Sequence, residues 1–282
     1  MFGKKRTGSV LCPSCGRLVG INDEVCLNCG RRKPGMWGLT PLLGRLGRDM
    51  GFVQAVIGGC AFLYLAMLAV DPQGIQMGGL FSLGGPSQEA LIRFGASGAV
   101  PVFGLDRWWT LLSAGWLHAG LLHIGFNLYW VRILAPETAE LYGPARMVIL
   151  YTLSSITGFL ASSAMGAFVH LPFLRGAMLT VGASAPILGL LGAMVWYGRR
   201  GSSHVGRQAW SYALFMIVFG FVMPGVDNWA HIGGFAGGYL GGMLLDPMQP
   251  ERGNHQAIAV VCLLATALAV IASLVVPVRL FR

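Results

Sequence analysis

Gly182-Ala183-Ser184-Ala185-Pro186-Ile187-Leu188-Gly189 sets one hydroxyl at the head of an apolar segment that otherwise reads as a membrane helix. Pro186 lacks an N–H and presets its own φ, so it fits the first turn of a helix. Ala185, which precedes it, is expected outside the α region. Ser184 then falls at or just before the helix start, where free backbone N–H groups and the positive end of the dipole lie. Gly182 lets the chain turn sharply or lets another backbone come close. Two readings fit this serine: an N-cap, or a nucleophile that needs a nearby base.

The rest of the chain bears on that choice. Of its 282 residues 55% are hydrophobic and 11% charged, whereas about a quarter are charged in soluble domains. Its 42 glycines suit helices that pack closely in a bilayer. A net charge of +9 raises nucleic acid as a partner, but the distribution argues against it. The basic residues gather at the N-terminus and in short loops between apolar runs, as membrane topology requires. The class expected is an all-α polytopic membrane protein.

Residues 1–35 form a separate polar unit with Cys12-Pro13-Ser14-Cys15 and Cys26-Leu27-Asn28-Cys29. Gly16 and Gly30 follow the two knuckles and allow the tight turn that folds two thiolates onto one ion. Four thiolates at Cys12, Cys15, Cys26 and Cys29 suit a tetrahedral structural Zn2+ with no position open for chemistry. Disulfides or idle thiols are the competing reading. So small a unit lacks a core of its own, and Lys4, Lys5, Arg6, Arg17, Arg31, Arg32 and Lys33 put it on the cytosolic side. There it could dock a cytosolic partner or touch anionic lipid. Residues 36–50, with Arg45 and Arg48, read as a basic linker.

Seven apolar segments follow, at about 51–70, 119–135, 146–169, 179–198, 208–224, 228–245 and 256–277, each near the ~20 residues that cross a bilayer. With the N-terminus inside, the even segments run inward, and the loop carrying Arg199, Arg200 and Arg207 falls inside. The stretch 71–118 is too long for a connector. With Phe103, Trp108, Trp109 and Trp116 it is expected to be a partly helical flap in the outer leaflet.

His123 and Asn127, four apart on the second segment, share a helix face. Two polar groups there suggest function, or else a helix–helix hydrogen bond. On the sixth segment, glycines recur at 233, 237, 241 and at 234, 238, 242, a doubled small-residue face for close packing. His231 lies just before it. Segments two, four and six run the same way, so His123, Ser184 and His231 fall at similar shallow depth. A histidine packed against the serine could be its base. His123, Asn127 and the Ser184 N–H could then donate to an oxyanion. No acidic residue is placed to make a third member, Asp227 being the only one close, so a dyad is expected.

At these residues the sequence resembles the rhomboid family of intramembrane serine proteases, over about residues 107–245. The Gly182-Ala183-Ser184 motif, the His123/Asn127 pair, Ala230-His231 leading into glycines, and Glu140 with Gly143 and Arg146 carry the likeness. The resemblance implies a six-helix core, here 51–246, with one additional C-terminal transmembrane helix and tail at 247–282. It implies Ser184 as nucleophile, His231 as general base, and Asn127, His123 and the Ser184 N–H at the oxyanion. It further implies cleavage of transmembrane protein substrates near their outer end, in the lipid bilayer, without a catalytic cofactor. The expected place is a bacterial cytoplasmic membrane with the active site toward the outer face. Ala185 stands where the family usually has glycine, and Thr110 where an arginine often follows tryptophan, although Arg107 is close by. A dyad-less relative that only binds membrane clients, or a channel, are the other classes that such a composition admits.

Overall fold

The computed structural model describes residues 7–12, 16–35, 49–169 and 175–278. All seven expected segments are helices: α1 (Phe52–Val70), α4 (Leu121–Tyr142), α5 (Pro144–Phe168), α6 (Ser184–Arg200), α7 (Ser203–Val222), α8 (Asn228–Leu244) and α9 (Gly253–Val275). Two short helices, α2 (Gln88–Phe94) and α3 (Thr110–Ser113), with single turns at Pro72–Gly74, Val100–Gly104 and Ala114–Trp116, make the 71–118 stretch partly helical as expected.

Some boundaries differ from the sequence reading. The second span runs on to Tyr142 rather than ending near 135, with Pro136 inside it. The fourth begins at Ser184, not near 179, because residues 175–183 are non-helical and tied to other segments. By length and composition, four of the described helices can cross a membrane alone: α1, α5, α7 and α9. Helices α6 and α8 have 17 residues each, roughly 25 Å at 1.5 Å per residue. That is at the short end of what spans a hydrocarbon core of about 30 Å.

The doubled glycine face explains the centre of the bundle. Gly234, Gly238 and Gly242 turn toward α6, against Ala185, Gly189 and Ala193, while Gly233, Gly237 and Gly241 turn toward α5, against Ala161, Thr157 and Leu153. A Cβ at Gly233 would lie 2.6 Å from that of Ala161, and one at Gly234 3.1 Å from the Ala185 Cα. Helix α8 is thus wedged between α5 and α6 at backbone contact, the gain coming from dispersion where apolar burial drives little.

Polar side chains tie the ends together. Arg146 donates to the carbonyls of Leu245, Asp246 and Gln249 at 2.6–2.7 Å, and its N–H donates to Glu251 Oε1 at 2.9 Å. Burial pushes the Glu251 carboxyl above its ordinary range, opposed by the Arg146 N–H and charge. Arg107 donates to Ile92 O and, at 2.8 Å, to Ser273 O. Thr110, buried, turns its hydroxyl to Arg107 O at 2.7 Å. The departure at Thr110 therefore leaves the long loop anchored through Arg107.

In the N-terminal unit β1 (Ser9–Leu11) pairs antiparallel with β2 (Leu18–Gly20), Leu11 opposite Leu18. Both knuckles repeat the same two backbone bonds: Gly16 N–H to Cys12 O and Cys12 N–H to Arg17 O, then Gly30 N–H to Cys26 O and Cys26 N–H to Arg31 O. Gly16 and Gly30 have φ +68° and +72°, which favours glycine. Arg31 reaches across to Gln256 on α9 at 2.8 Å.

Candidate active site

The segment leading to Ser184 is held open by its neighbours. Ser97 and Thr180 exchange both backbone bonds, at 3.0 and 2.8 Å, Ala99 N–H donates to Ala177 O, and Gly182 N–H donates to Ala114 O at 3.0 Å. Gly182 has φ +124°. A Cβ there would sit 2.6 Å from His123 Nε2, so glycine alone satisfies both the backbone and the imidazole that lies over it.

Ser184 is the first residue of α6. Ala183 is its N-cap, and no side-chain bond caps the helix. Of the two readings open for the serine the cap is not the one formed, and the expectation for Ala185 fails. The serine makes no cap bond, and Ala185 is helical despite preceding Pro186. The first N–H groups of a helix have no intrahelical partner, so Pro186 forfeits no bond there. Ala185 is also packed under Gly158 and Gly234, where its backbone closes on α8. That tertiary contact outweighs the local preference before proline.

His123 Nδ1 accepts the Ala119 N–H at 3.2 Å, which puts the hydrogen of the neutral ring on Nε2, the nitrogen beside Gly182. Asn127 Nδ2 donates to His123 O at 2.8 Å, fixing the amide one turn along, and it too comes to 3.8 Å from the Gly182 Cβ direction. His118 packs its ring edge-on to that of His123, centroids 5.2 Å apart, and is fully buried. It does not line the cavity described next.

His231 is buried on the first turn of α8, and its Nδ1 meets no hydrogen-bond partner among the described residues. Asp227 is engaged elsewhere: Oδ1 accepts from Ala230 N–H at 3.1 Å as the N-cap, and Oδ2 from Ser162 Oγ at 2.6 Å. Ser162 in turn accepts the Ala177 N–H. The carboxylate fastens α8 to α5 and to the approach to Ser184, and makes no bond to the imidazole. Sequence reading gave Ser162 no place; a serine inside an apolar helix, which must find a partner, was the available signal.

Ser184, His231, His123 and Asn127 all line one cavity of about 940 Å³. Phe81, Phe126 and Phe219 line it as well, Phe126 stacked on Phe219 at 6.1 Å. A hydroxyl at a helix start, an imidazole and two donors therefore line one partly open cavity. At the other end of the chain, the sulfurs of Cys12, Cys26 and Cys29 lie within 4.8 Å of one another. Cys12 Sγ and Cys29 Sγ are 3.7 Å apart, close to the roughly 3.8 Å edge of a tetrahedron with 2.3 Å metal–sulfur bonds. Cys15 lies outside the described residues.

Comparison with known proteins bears on this arrangement. The Rhomboid domain matches residues 105–247. The rhomboid protease GluP of Bacillus subtilis (strain 168) is 29% identical over 188 residues, covering 65% of this chain and 35% of that protein. RHOMBOID-like protein 7 of Arabidopsis thaliana is 32% identical over 166 residues, 57% of this chain and 50% of the relative. Inactive RHOMBOID-like protein 8 of the same plant is 30% identical over 157 residues, 54% of this chain and 42% of the relative. The chain thus spans a third to about half the length of these relatives. Its apolar helices and these likenesses make it a multi-pass integral membrane protein. The domain match across half the chain, from the long loop through the end of α8, establishes that the chain belongs to the rhomboid family.

Proposed function

We propose that this chain is an intramembrane serine endopeptidase acting through a Ser184–His231 dyad on transmembrane protein substrates. The observation that carries the proposal is the shared cavity lined by Ser184, His231, His123 and Asn127. Ser184 Oγ attacks the scissile carbonyl while His231 takes its proton. The Ser184 N–H, His123 Nε2–H and the Asn127 amide donate to the oxyanion that forms. Collapse expels the amine, which takes the proton from His231, and leaves an ester on Ser184. Water, deprotonated by His231, then releases the acid and restores the serine. The engagement of Asp227 with Ser162 supports a dyad without a third member.

Residues 51–246 form the protease core in this reading, 247–282 an added helix and tail, 36–50 a linker, and 1–35 a zinc-ribbon-like cytosolic unit. Arg199 and Arg200 lie in the last turn of α6, away from Ser184, and Arg207 in the first turns of α7; by the positive-inside rule this end faces the cytosol and the cavity the outer side. Cys12, Cys15, Cys26 and Cys29 hold a structural Zn2+ that pins the N-terminal fold.

The test is cleavage of a single-span reporter in proteoliposomes. Ser184→Ala and His231→Ala abolish it while thermal unfolding stays near that of the parent. Undiminished cleavage by both variants refutes the assignment. A non-catalytic client binder is the second reading, favoured by the likeness to a relative named as inactive. A serine-directed fluorophosphonate separates the two, because a binder leaves Ser184 unlabelled.

A further inference from the structure

Helix α9 stands outside the six-helix core, yet its last turns carry a polar cluster tied toward Ser184. Its buried stripe is Ala259, Thr266, Ala269 and Ser273, one seam at helical spacing. Ser273 is 1% exposed. Its hydroxyl donates to Ala269 O at 2.9 Å and accepts the Trp109 indole N–H at 3.0 Å. Ser113 Oγ lies 3.4 Å away and donates to Gly95 O at 2.8 Å. The Arg107 guanidinium bridges Ser273 O and Ile92 O. The residue after Ser113 is Ala114, whose carbonyl accepts the Gly182 N–H. The Trp109 and Arg107 bonds to Ser273 therefore tie α9 to the one-turn helix α3, and the backbone of α3 leads on to Ala114, whose carbonyl holds the glycine two residues before the serine. None of Ser273, Trp109, Arg107 and Ser113 lines the cavity.

We infer that Ser273 and Trp109 are positioning residues for the reaction at Ser184, with α9 buttressing the 180–183 turn from outside the core. The inference rests on the catalytic reading above. Removing the Ser273 hydroxyl leaves the Trp109 N–H without its acceptor in a half-buried site, where an unmet donor costs more than the bond itself. α3 then shifts to find another partner, and Ala114 O carries Gly182 with it. Small displacements at a reacting group are expensive.

The experiment compares wild type, Ser273→Ala, Trp109→Phe and the double variant in detergent and in liposomes. It reads fluorophosphonate labelling at Ser184, reporter kcat and KM, and hydrogen exchange at Gly182. Ser273→Ala is expected to lower labelling and kcat about tenfold, leave KM within about twofold, and speed exchange at Gly182. The double variant is expected to be no worse than Ser273→Ala, because Trp109→Phe deletes the stranded donor. Labelling and kcat near wild type in Ser273→Ala, with exchange at Gly182 unchanged, overturn this inference and leave the dyad standing. A wild-type enzyme that is not labelled at Ser184 overturns the dyad and this inference together.

Discussion

Gly238→Ala puts a methyl group between α8 and α6 where only backbone lies. Its Cβ would meet the backbone of Gly189, with the Gly189 Cα at 2.5 Å, whereas ordinary contact begins near 3.4 Å. No side chain can swing aside, so the helices must part by roughly 1 Å. Alanine gains about 1 kcal/mol of helix propensity over glycine. Overpacking costs about 1–3 kcal/mol, so a net loss of up to about 2 kcal/mol is expected. The kinetic effect is larger. His231 sits on α8 and Ser184 on α6, one on each side of the seam, and a 1 Å misplacement of reacting groups costs about 100-fold in rate. Reporter cleavage in proteoliposomes and thermal unfolding in detergent measure the two effects. A variant that keeps parental kcat and unfolding temperature would show that the seam does not set the dyad, and the reasoning would be wrong.

Gly58→Ala is the matching control: its Cβ meets nothing, so stability should hold or rise by up to about 1 kcal/mol with kcat unchanged. Asn127→Ala should lower kcat by about 100-fold or more, with a smaller change in KM, as expected for a donor used in the transition state. Glu251, raised chiefly by burial, holds a proton in the folded chain at pH values where the unfolded chain has released it. Unfolding free energy should therefore fall as pH rises from the ordinary carboxylate range through the raised folded value, and Glu251→Gln should remove that slope in pH-dependent unfolding. The purified protein should carry about one equivalent of zinc by elemental analysis; less than half an equivalent with the thiols paired would remove the metal assignment.

What could be read from the chain was whatever local chemistry dictates. The two rows of glycines repeating every four residues on α8 announce close helix packing; that one row meets α6 and the other α5 is seen only in the structure. Glycine after each cysteine pair announces the knuckles, and both appear with positive φ. The extent of α4 was not legible, because Arg132, Glu137 and Pro136 look like a helix end yet lie within it. Nor was the helical conformation of Ala185, where packing against α8 overrides the preference before proline. Contacts distant in sequence were invisible too. Arg107 with Ser273, Asp227 with Ser162, and Arg146 with the carbonyls after Leu245 arise only once the bundle closes. At the candidate site, residue types and spacing brought Ser184, His123, Asn127 and His231 forward. The role of Gly182 as the seat of the His123 ring needed coordinates.

The most direct test of the dyad is the position and rate of a covalent adduct. Wild-type and His231→Ala protein are treated with a fluorophosphonate in proteoliposomes and mapped by peptide mass spectrometry. The account predicts one adduct, on Ser184, formed in the wild type and lost in His231→Ala. An adduct on another residue, no adduct at all, or equal labelling of Ser184 in the two proteins would contradict it.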